Sequence, residues 1–285
     1  MKRQMNKCKL FIFIMLGITN FSIAQNNRFI DTVYHFQPGE GQNSGQSTEY
    51  FPKNIFGPPS KNATETIPES SPSEVLSIGM GGEIIVGFKD SYLVDGPGID
   101  FIIFENVFLN PINQKLFAEP ALVSVSEDGI KFIEFPFDSL TLEGCAGTKP
   151  TSGKANPFDY PHSGGNGFDI ATLGLTKIKY IKIKDITEMI LQNTSHPFYD
   201  PTLSGFDLDA IAGLYVVDEH TLVSDNKNST ISQCNITAYD YLGNKIVSFE
   251  NISEPELFQA LDKGCYFLVI QSNSVIHYRR ICLKN

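Results

Sequence analysis

Five aspartates in this sequence stand beside turns or on strand-like runs that can gather them. In DGPGID (95–100), Gly96, Pro97 and Gly98 force a tight loop between Asp95 and Asp100, and Glu105-Asn106 follows one strand later. Loops of this kind converge carboxylates and carbonyls on a hard cation, and calcium takes about 6 to 8 oxygen ligands. In GFDLD (205–209), Asp207 and Asp209 lie two apart, so on a strand both face one way while Phe206 and Leu208 face the other. Two like charges on one face require a cation, a hydrogen-bond network or water. Asp169, in the GFDI string (167–170) that echoes GFDLD, is a third contributor. Asp95, Asp100, Asp169, Asp207 and Asp209 are therefore the candidate ligands of a structural calcium ion. The competing account is that they cap turns in solvent.

Catalytic chemistry is harder to assemble. His35, His162, His196, His220 and His277 fall in no HExxH or other ligand spacing. There is no G-x-S-x-G elbow and no Walker loop. The SGGNG cluster (163–167) is not followed by a helical pattern, which removes a phosphate cradle. Paired carboxylates for glycoside hydrolysis need no motif, and Glu105, Glu119 and Asp209 are the residues that would have to approach one another. Tyr160, His162, Phe198 and Tyr199, in Pro-rich and Gly-rich loops, suit stacking on a sugar face. No residue is assigned a catalytic role, and the expectation is a non-catalytic chain.

The first 24 residues read as an address. Lys2, Arg3, Lys7 and Lys9 precede an apolar run from Leu10 to Ile18, and Ser22 and Ala24 take the cleavage positions before Gln25. The run is about half the length needed to span a bilayer, so no transmembrane helix is expected in the mature chain. Its removal takes four of the 22 Lys and Arg and none of the 32 Asp and Glu, lowering the net charge from −10 to −14. Such acidity, with no basic run beyond the leader, excludes a nucleic-acid partner. Cys145, Cys234, Cys265 and Cys282 remain, and export permits disulfides among them in three full pairings that the sequence does not rank.

The elements that position these residues are strands. The chain has 22 Phe, 11 Tyr, 23 Gly and 16 Pro among its 285 residues, a β-leaning and turn-rich composition. EIIVGF (83–88), IDFIIFE (99–105), ALVSVS (121–126) and IKFIEF (130–135) are short apolar runs, and Asp128-Gly129 closes a hairpin over 121–135. KIKYIKIK (177–184) alternates but slips phase at Tyr180-Ile181, where a bulge would bring Ile178 and Tyr180 onto the face of Ile181 and Ile183. ITEMILQN (186–193) is the only helical candidate, Pro52 to Ser73 reads as an extended loop, and AIAGLYVV (210–217) closes the body. CNITAY (234–239), KIVSF (245–249), CYFLVI (265–270) and VIHYRRICL (275–283) make a four-strand pattern. The expected fold is all-β: a jelly-roll-like β-sandwich body over 25–217, a linker over 218–230 and a small C-terminal β-sandwich domain over 231–285.

Two resemblances extend this reading. ITAYDYLGNKIVSF, then LDKGCYFLVI, then HYRRICLKN resembles the type A sorting domain of the type IX secretion system, with Asp240 to Gly243, Leu261 to Tyr266, and Arg279, Arg280 and Lys284 in the family's motif positions. The family's Pro-Asn-Pro opening is missing, and Cys265 and Cys282 replace its usual apolar residues. This resemblance implies the type IX machinery as partner and a cell-surface or extracellular location. NIFGPP, VLSIGMGGEIIVGF, DGPGIDFIIFEN, FAEPALVSVSEDGIKF, GFDI, YIKIKD and GFDLDAIA resemble the recurrent blocks of a family of bacterial cell-surface proteins without an assigned activity. The VSEDGIKF hairpin with the later YIKIKD strand is also similar to discoidin-like, galactose-binding-like jelly rolls. That implies a binding module, with an extracellular glycan as ligand, more than a catalyst.

Overall fold

The computed structural model describes residues 28–218, 234–240, 245–252, 254–261, 264–272 and 275–283; the leader, most of the linker and residues 241–244 lie outside them. In chain order the strands of the body are β1 (Thr32–Gln37), β2 (Leu76–Ser77), β3 (Glu83–Gly87), β4 (Ser91–Val94), β5 (Phe101–Glu105), β6 (Phe108–Leu109), β7 (Leu116–Phe117), β8 (Ala121–Ser126), β9 (Ile133–Glu134), β10 (Asn166–Phe168), β11 (Lys177–Ile178), β12 (Tyr180–Asp185), β13 (Asp207–Gly213) and β14 (Val216–Asp218). The C-terminal segment adds β15 (Cys234–Tyr239), β16 (Lys245–Ile252), β17 (Gly264–Ser272) and β18 (Val275–Leu283).

The chain is all-β, and its body is built on two antiparallel sheets, one ordered β1-β3-β12-β8-β9 and the other β10-β5-β13-β2. Alternation along the strands sends one set of side chains between them. Ile84, Val86, Val123, Val125, Ile181 and Ile183 from the first sheet and Phe101, Ile103, Phe168, Leu208 and Ile211 from the second form a single buried cluster. Facing layers that share one apolar core make a β-sandwich. The second sheet is apolar on its other face too: Ile102, Phe104, Ala210 and Ala212 are buried there under Phe29, Phe158, Tyr160 and Leu214. This explains why FIIFE reads as an unbroken apolar run; β5 is covered on both sides.

The 121–135 hairpin forms, with Val125 opposite Ile133, although β9 keeps only two residues because Asp128 draws the backbone N–H groups of Ile130 and Lys131 to its carboxylate. The KIKYIKIK run departs from expectation. It is not one bulged strand: the chain changes sheet at Lys179, β11 pairing with β4 in a separate β11-β4-β14 sheet while β12 enters the main one. Tyr180 therefore faces away from Ile181 and packs on Tyr34, ring centroids 4.6 Å apart. AIAGLYVV splits likewise between β13 and β14.

Cys234–Tyr239, Lys245–Ile252, Gly264–Ser272 and Val275–Leu283 form one antiparallel sheet ordered β16-β15-β17-β18. The expected short helix is present at Thr187–Leu191, but it is not the only one: Glu254–Ala260 is helical and puts Leu257 into a core with Ile236, Ala238, Leu268 and Ile270. The Ser253-Glu254-Pro255-Glu256 string carries the signal that reveals this helix in the sequence, a serine three residues before a glutamate with proline in the first turn.

Candidate metal centre

The loop between β4 and β5 is as tight as its composition implies. A Cβ on Gly96 would meet the Tyr215 ring at 2.1 Å, and Gly98 has φ +74°, so both glycines are required by space or by conformation. Asp95 is held by its N–H to the Thr176 carbonyl at 2.9 Å, and Asp100 by its N–H to the Phe168 carbonyl at 2.8 Å. The Asp100 side chain is fully buried. Its Oδ1 accepts from Gly96 N–H at 2.7 Å and its Oδ2 from Ile170 N–H at 2.8 Å.

Asp169 arrives by strand register. Phe168 pairs with Phe101 between β10 and β5, so the next residue along, Asp169, comes beside Asp100. There it caps the 3-10 turn Ile170–Leu173, accepting from Ala171 N–H at 2.9 Å. Oxygens of Asp95, Asp100 and Asp169 all lie within 4.8 Å of one another, the one such acidic group among the described residues. Burial, opposed by the two amide hydrogen bonds and reinforced by the charges of Asp169 and Asp95, pushes the Asp100 carboxyl up to about 7. Arg28 gives its guanidinium to the Gly213 and Leu214 carbonyls at 3.2 and 2.8 Å and lays it over the Phe158 ring. Three converging carboxylates in such a place suit a hard cation with oxygen ligands.

The remaining two candidates lie elsewhere. Phe206 and Leu208 enter the sandwich core, as the alternation of GFDLD requires. Asp207 accepts from the Ser77 hydroxyl and from Asn106 Nδ2 at 3.4 Å. Asp209 sits at a register shift between Leu208 and Ala210, and both its oxygens accept from Ser60 N–H, at 3.0 and 3.1 Å. It pins the Pro52 to Ser73 loop to β13, and burial, opposed by the Ser60 bond and aided by the charges of Glu74 and Glu69, raises it to about 7. The two aspartates thus serve different partners.

Glu105 and Glu119 are drawn toward Asp207 instead. All three are at least 95% buried. Glu105 Oε1 accepts from Asp207 N–H at 3.1 Å, and Glu119 Oε1 accepts from Gly205 N–H at 2.9 Å and from Ser204 N–H. Burial, then the charges of Glu119 and Asp207, raise Glu105 well above the usual carboxylate range; burial and Asp207 raise Glu119 to about 8.

No protein-family model matches the chain, and no curated protein matches it.

Sequence reasoning passed over Asp185. It is buried and accepts from Gly81 N–H, Thr187 N–H, the Thr187 hydroxyl and Phe206 N–H at 2.6 to 3.0 Å, tying β12 to the start of β13. The Asp-x-Thr spacing at the mouth of a helix was its only local sign. The aromatic loop residues separate: Tyr160 is half-buried and accepts from Lys149 Nζ at 2.8 Å, while His162 is exposed beside Asp159. Phe198 and Tyr199, with Phe117, Asn110, Lys115 and Asp200, line a narrow crevice of about 10 Å³ between the β6-β7 hairpin and the loop after the Thr187–Leu191 helix.

Proposed function

We propose that this chain is an exported, cell-surface or secreted binding protein, calcium-stabilised at the Asp95–Asp100–Asp169 junction and non-catalytic. The observation that carries the reading is the convergence of those three carboxylates within 4.8 Å at the meeting point of two loops. A cation there would fasten the β4-β5 loop to the turn after β10, and so close one end of the second sheet.

The binding role is supported by the separation of two features that a glycosidase must combine. The crevice floored by Phe117, Phe198 and Tyr199 has an amide and charged rim and one carboxylate among its lining residues, Asp200. The carboxylates able to pair, Glu105, Glu119 and Asp207, are shut inside the fold. Aromatic faces with neighbouring amides suit a sugar, which stacks and hydrogen-bonds at once. An extracellular glycan is the ligand class we propose, on the resemblance to galactose-binding-like jelly rolls, with these rings as the contact surface. The sorting role of 231–285 rests on its resemblance to type A sorting domains.

Two experiments test this. A glycan array read with calcium and with chelator should show binding that Tyr199→Ala abolishes; an array blank under both conditions would overturn the glycan assignment. Terbium luminescence excited through tyrosine tests the metal, because Tyr215 packs on Gly96 and donates its hydroxyl to the Pro97 carbonyl at 3.1 Å. Emission should be displaced by calcium and lost in Tyr215→Phe. Emission unchanged in that variant would remove the junction from consideration.

A further inference from the structure

A cavity of about 330 Å³ opens between Pro58, Pro59 and Lys61 on one loop and Lys154, Ala155 and Pro157 on another. Its walls are fixed from behind. Gly153 donates its N–H to the Ala63 carbonyl at 3.0 Å, and a Cβ on Gly153 would meet the Ser60 carbonyl oxygen at 1.9 Å, so only glycine lets the two loops close up. Ser60 is anchored in turn, its N–H on Asp209 Oδ1 at 3.0 Å and its hydroxyl on Glu69 Oε2 at 2.5 Å. Thr151 gives its hydroxyl to the Glu105 carbonyl at 2.9 Å, which holds the second loop to β5. The volume lies at the lower end of the range that takes small molecules, about 300 to 1,000 Å³.

The charge of this cavity is the reverse of the chain's. The sequence has 32 Asp and Glu, yet no acid lines the cavity, and its charged residues are the two lysines. Lys61 and Lys154 are exposed, and neither forms an ion pair among the described residues. Glu69, an acid of the same loop, is buried and taken up by Ser60, Asn62, Ser70 and Ser71. Three prolines and Ala155 give the rest of the wall apolar faces.

We infer that this cavity binds an acidic sugar residue of a glycan, one carrying a carboxylate or a sulfate. The anion would sit against Lys61 and Lys154 in charge-assisted hydrogen bonds, with the C–H face of the sugar ring against the prolines. A lysine ammonium is a compact charge with rotatable donors and does not select planar anions, so carboxylate and sulfate both fit. Leu109 of β6 donates its N–H to the Glu65 carbonyl at 2.6 Å, so the Lys61 loop adjoins the hairpin that carries the ring crevice. The inference rests on the glycan reading and narrows it to an anionic ligand, without using the calcium junction.

The test is an array printed with neutral, uronate-bearing and sulfated oligosaccharides, read in calcium for the mature wild-type chain, Lys61→Gln/Lys154→Gln and Tyr199→Ala, with calorimetry on whatever binds. Acidic glycans should bind more tightly than neutral ones and lose affinity as salt is raised. Their affinity should fall by about tenfold in the double lysine variant, whose melting temperature should match wild type because both side chains are exposed. Binding of uronates, of sulfated sugars or of both supports the site and names the anion that it reads. Binding of neutral glycans alone overturns the acidic site and leaves the glycan reading standing. So does binding of acidic glycans that the double lysine variant keeps at wild-type affinity. A blank array overturns both.

Discussion

Ile170 donates its backbone N–H to Asp100 Oδ2 at 2.8 Å across 70 residues of chain, and Gly96 donates to the other oxygen of the same carboxylate at 2.7 Å. One buried side chain thus satisfies a loop on one side and a turn on the other, and that double use separates its structural role from any metal-binding one.

Asp100→Asn places an N–H₂ group against one of those two donors. It should cost about 1 to 3 kcal/mol with chelator present, the usual penalty for a buried hydrogen-bonding group left unmatched. Asp169→Asn behaves differently, since asparagine caps as well as aspartate; its stability in chelator should be near wild type while the gain from calcium disappears. That gain in wild type should approach about 2.7 kcal/mol at a hundredfold excess over Kd. Thermal melts of both variants, with calcium and with chelator, provide the comparison, and equal calcium gains in wild type and Asp169→Asn would count against the junction.

Asp209 gives a pH signature independent of metal. Its folded value is raised from 3.8 to about 7 by burial. A raised carboxyl favours the fold when protonated, so its contribution is complete below the unfolded value and is lost as pH rises through about 7. The full effect is worth about 4 kcal/mol. In chelator, the melting temperature should fall between pH 5 and pH 8, and Asp209→Asn, which cannot ionise, should show a shallower fall. Parallel profiles for the two proteins would rule out Asp209 as the source.

The strand register ranks one of the disulfide pairings that the sequence leaves open. Cys265 and Cys282 are direct partners between β17 and β18, and opposed residues on antiparallel strands have Cα atoms about 4.5 to 5.5 Å apart, inside the span of a disulfide. Cys145 is buried in the body with its thiol pushed up to about 12 by burial and by Glu134 and Asp138. Recovered from an oxidising compartment, the chain should therefore yield a Cys265–Cys282 linked peptide without reductant and an alkylatable Cys145 only after unfolding. A bridge of this loop size contributes about 3 kcal/mol. Recovery of Cys145 linked to Cys265 or Cys282 would contradict the register.

Deleting 231–285 removes the segment that resembles a sorting domain and leaves intact the two sheets and the core they share, none of which draws on it. The truncated chain is expected to fold and reach the periplasm but to be missing from the surface. Protease shaving of whole cells distinguishes the outcomes, and display at normal levels would refute the sorting role.

Apolar alternation and turn chemistry, both local properties, located twelve of the eighteen strands; the polar β1 and the short β2, β4, β6, β7 and β10 were passed over. ALVSVS is β8 residue for residue, and IDFIIFE (99–105) holds β5 from its third residue on. The DGPGID loop was legible for the same reason, because glycine and proline act on their own backbone. Sheet membership was not legible: KIKYIKIK has one pattern, yet Lys179 hands the chain from one sheet to another. The grouping of the acids was equally hidden. Asp169 joins Asp100 because Phe168 pairs with Phe101, and Asp209 leaves Asp207 for Ser60 because the strand shifts register between them. The sequence by itself determined the apolar strands and the tight turns between them, since those depend on neighbours a few positions away. Only the tertiary structure decided which carboxylates meet, since that depends on long-range register, where one residue of slip moves every side chain to the opposite face.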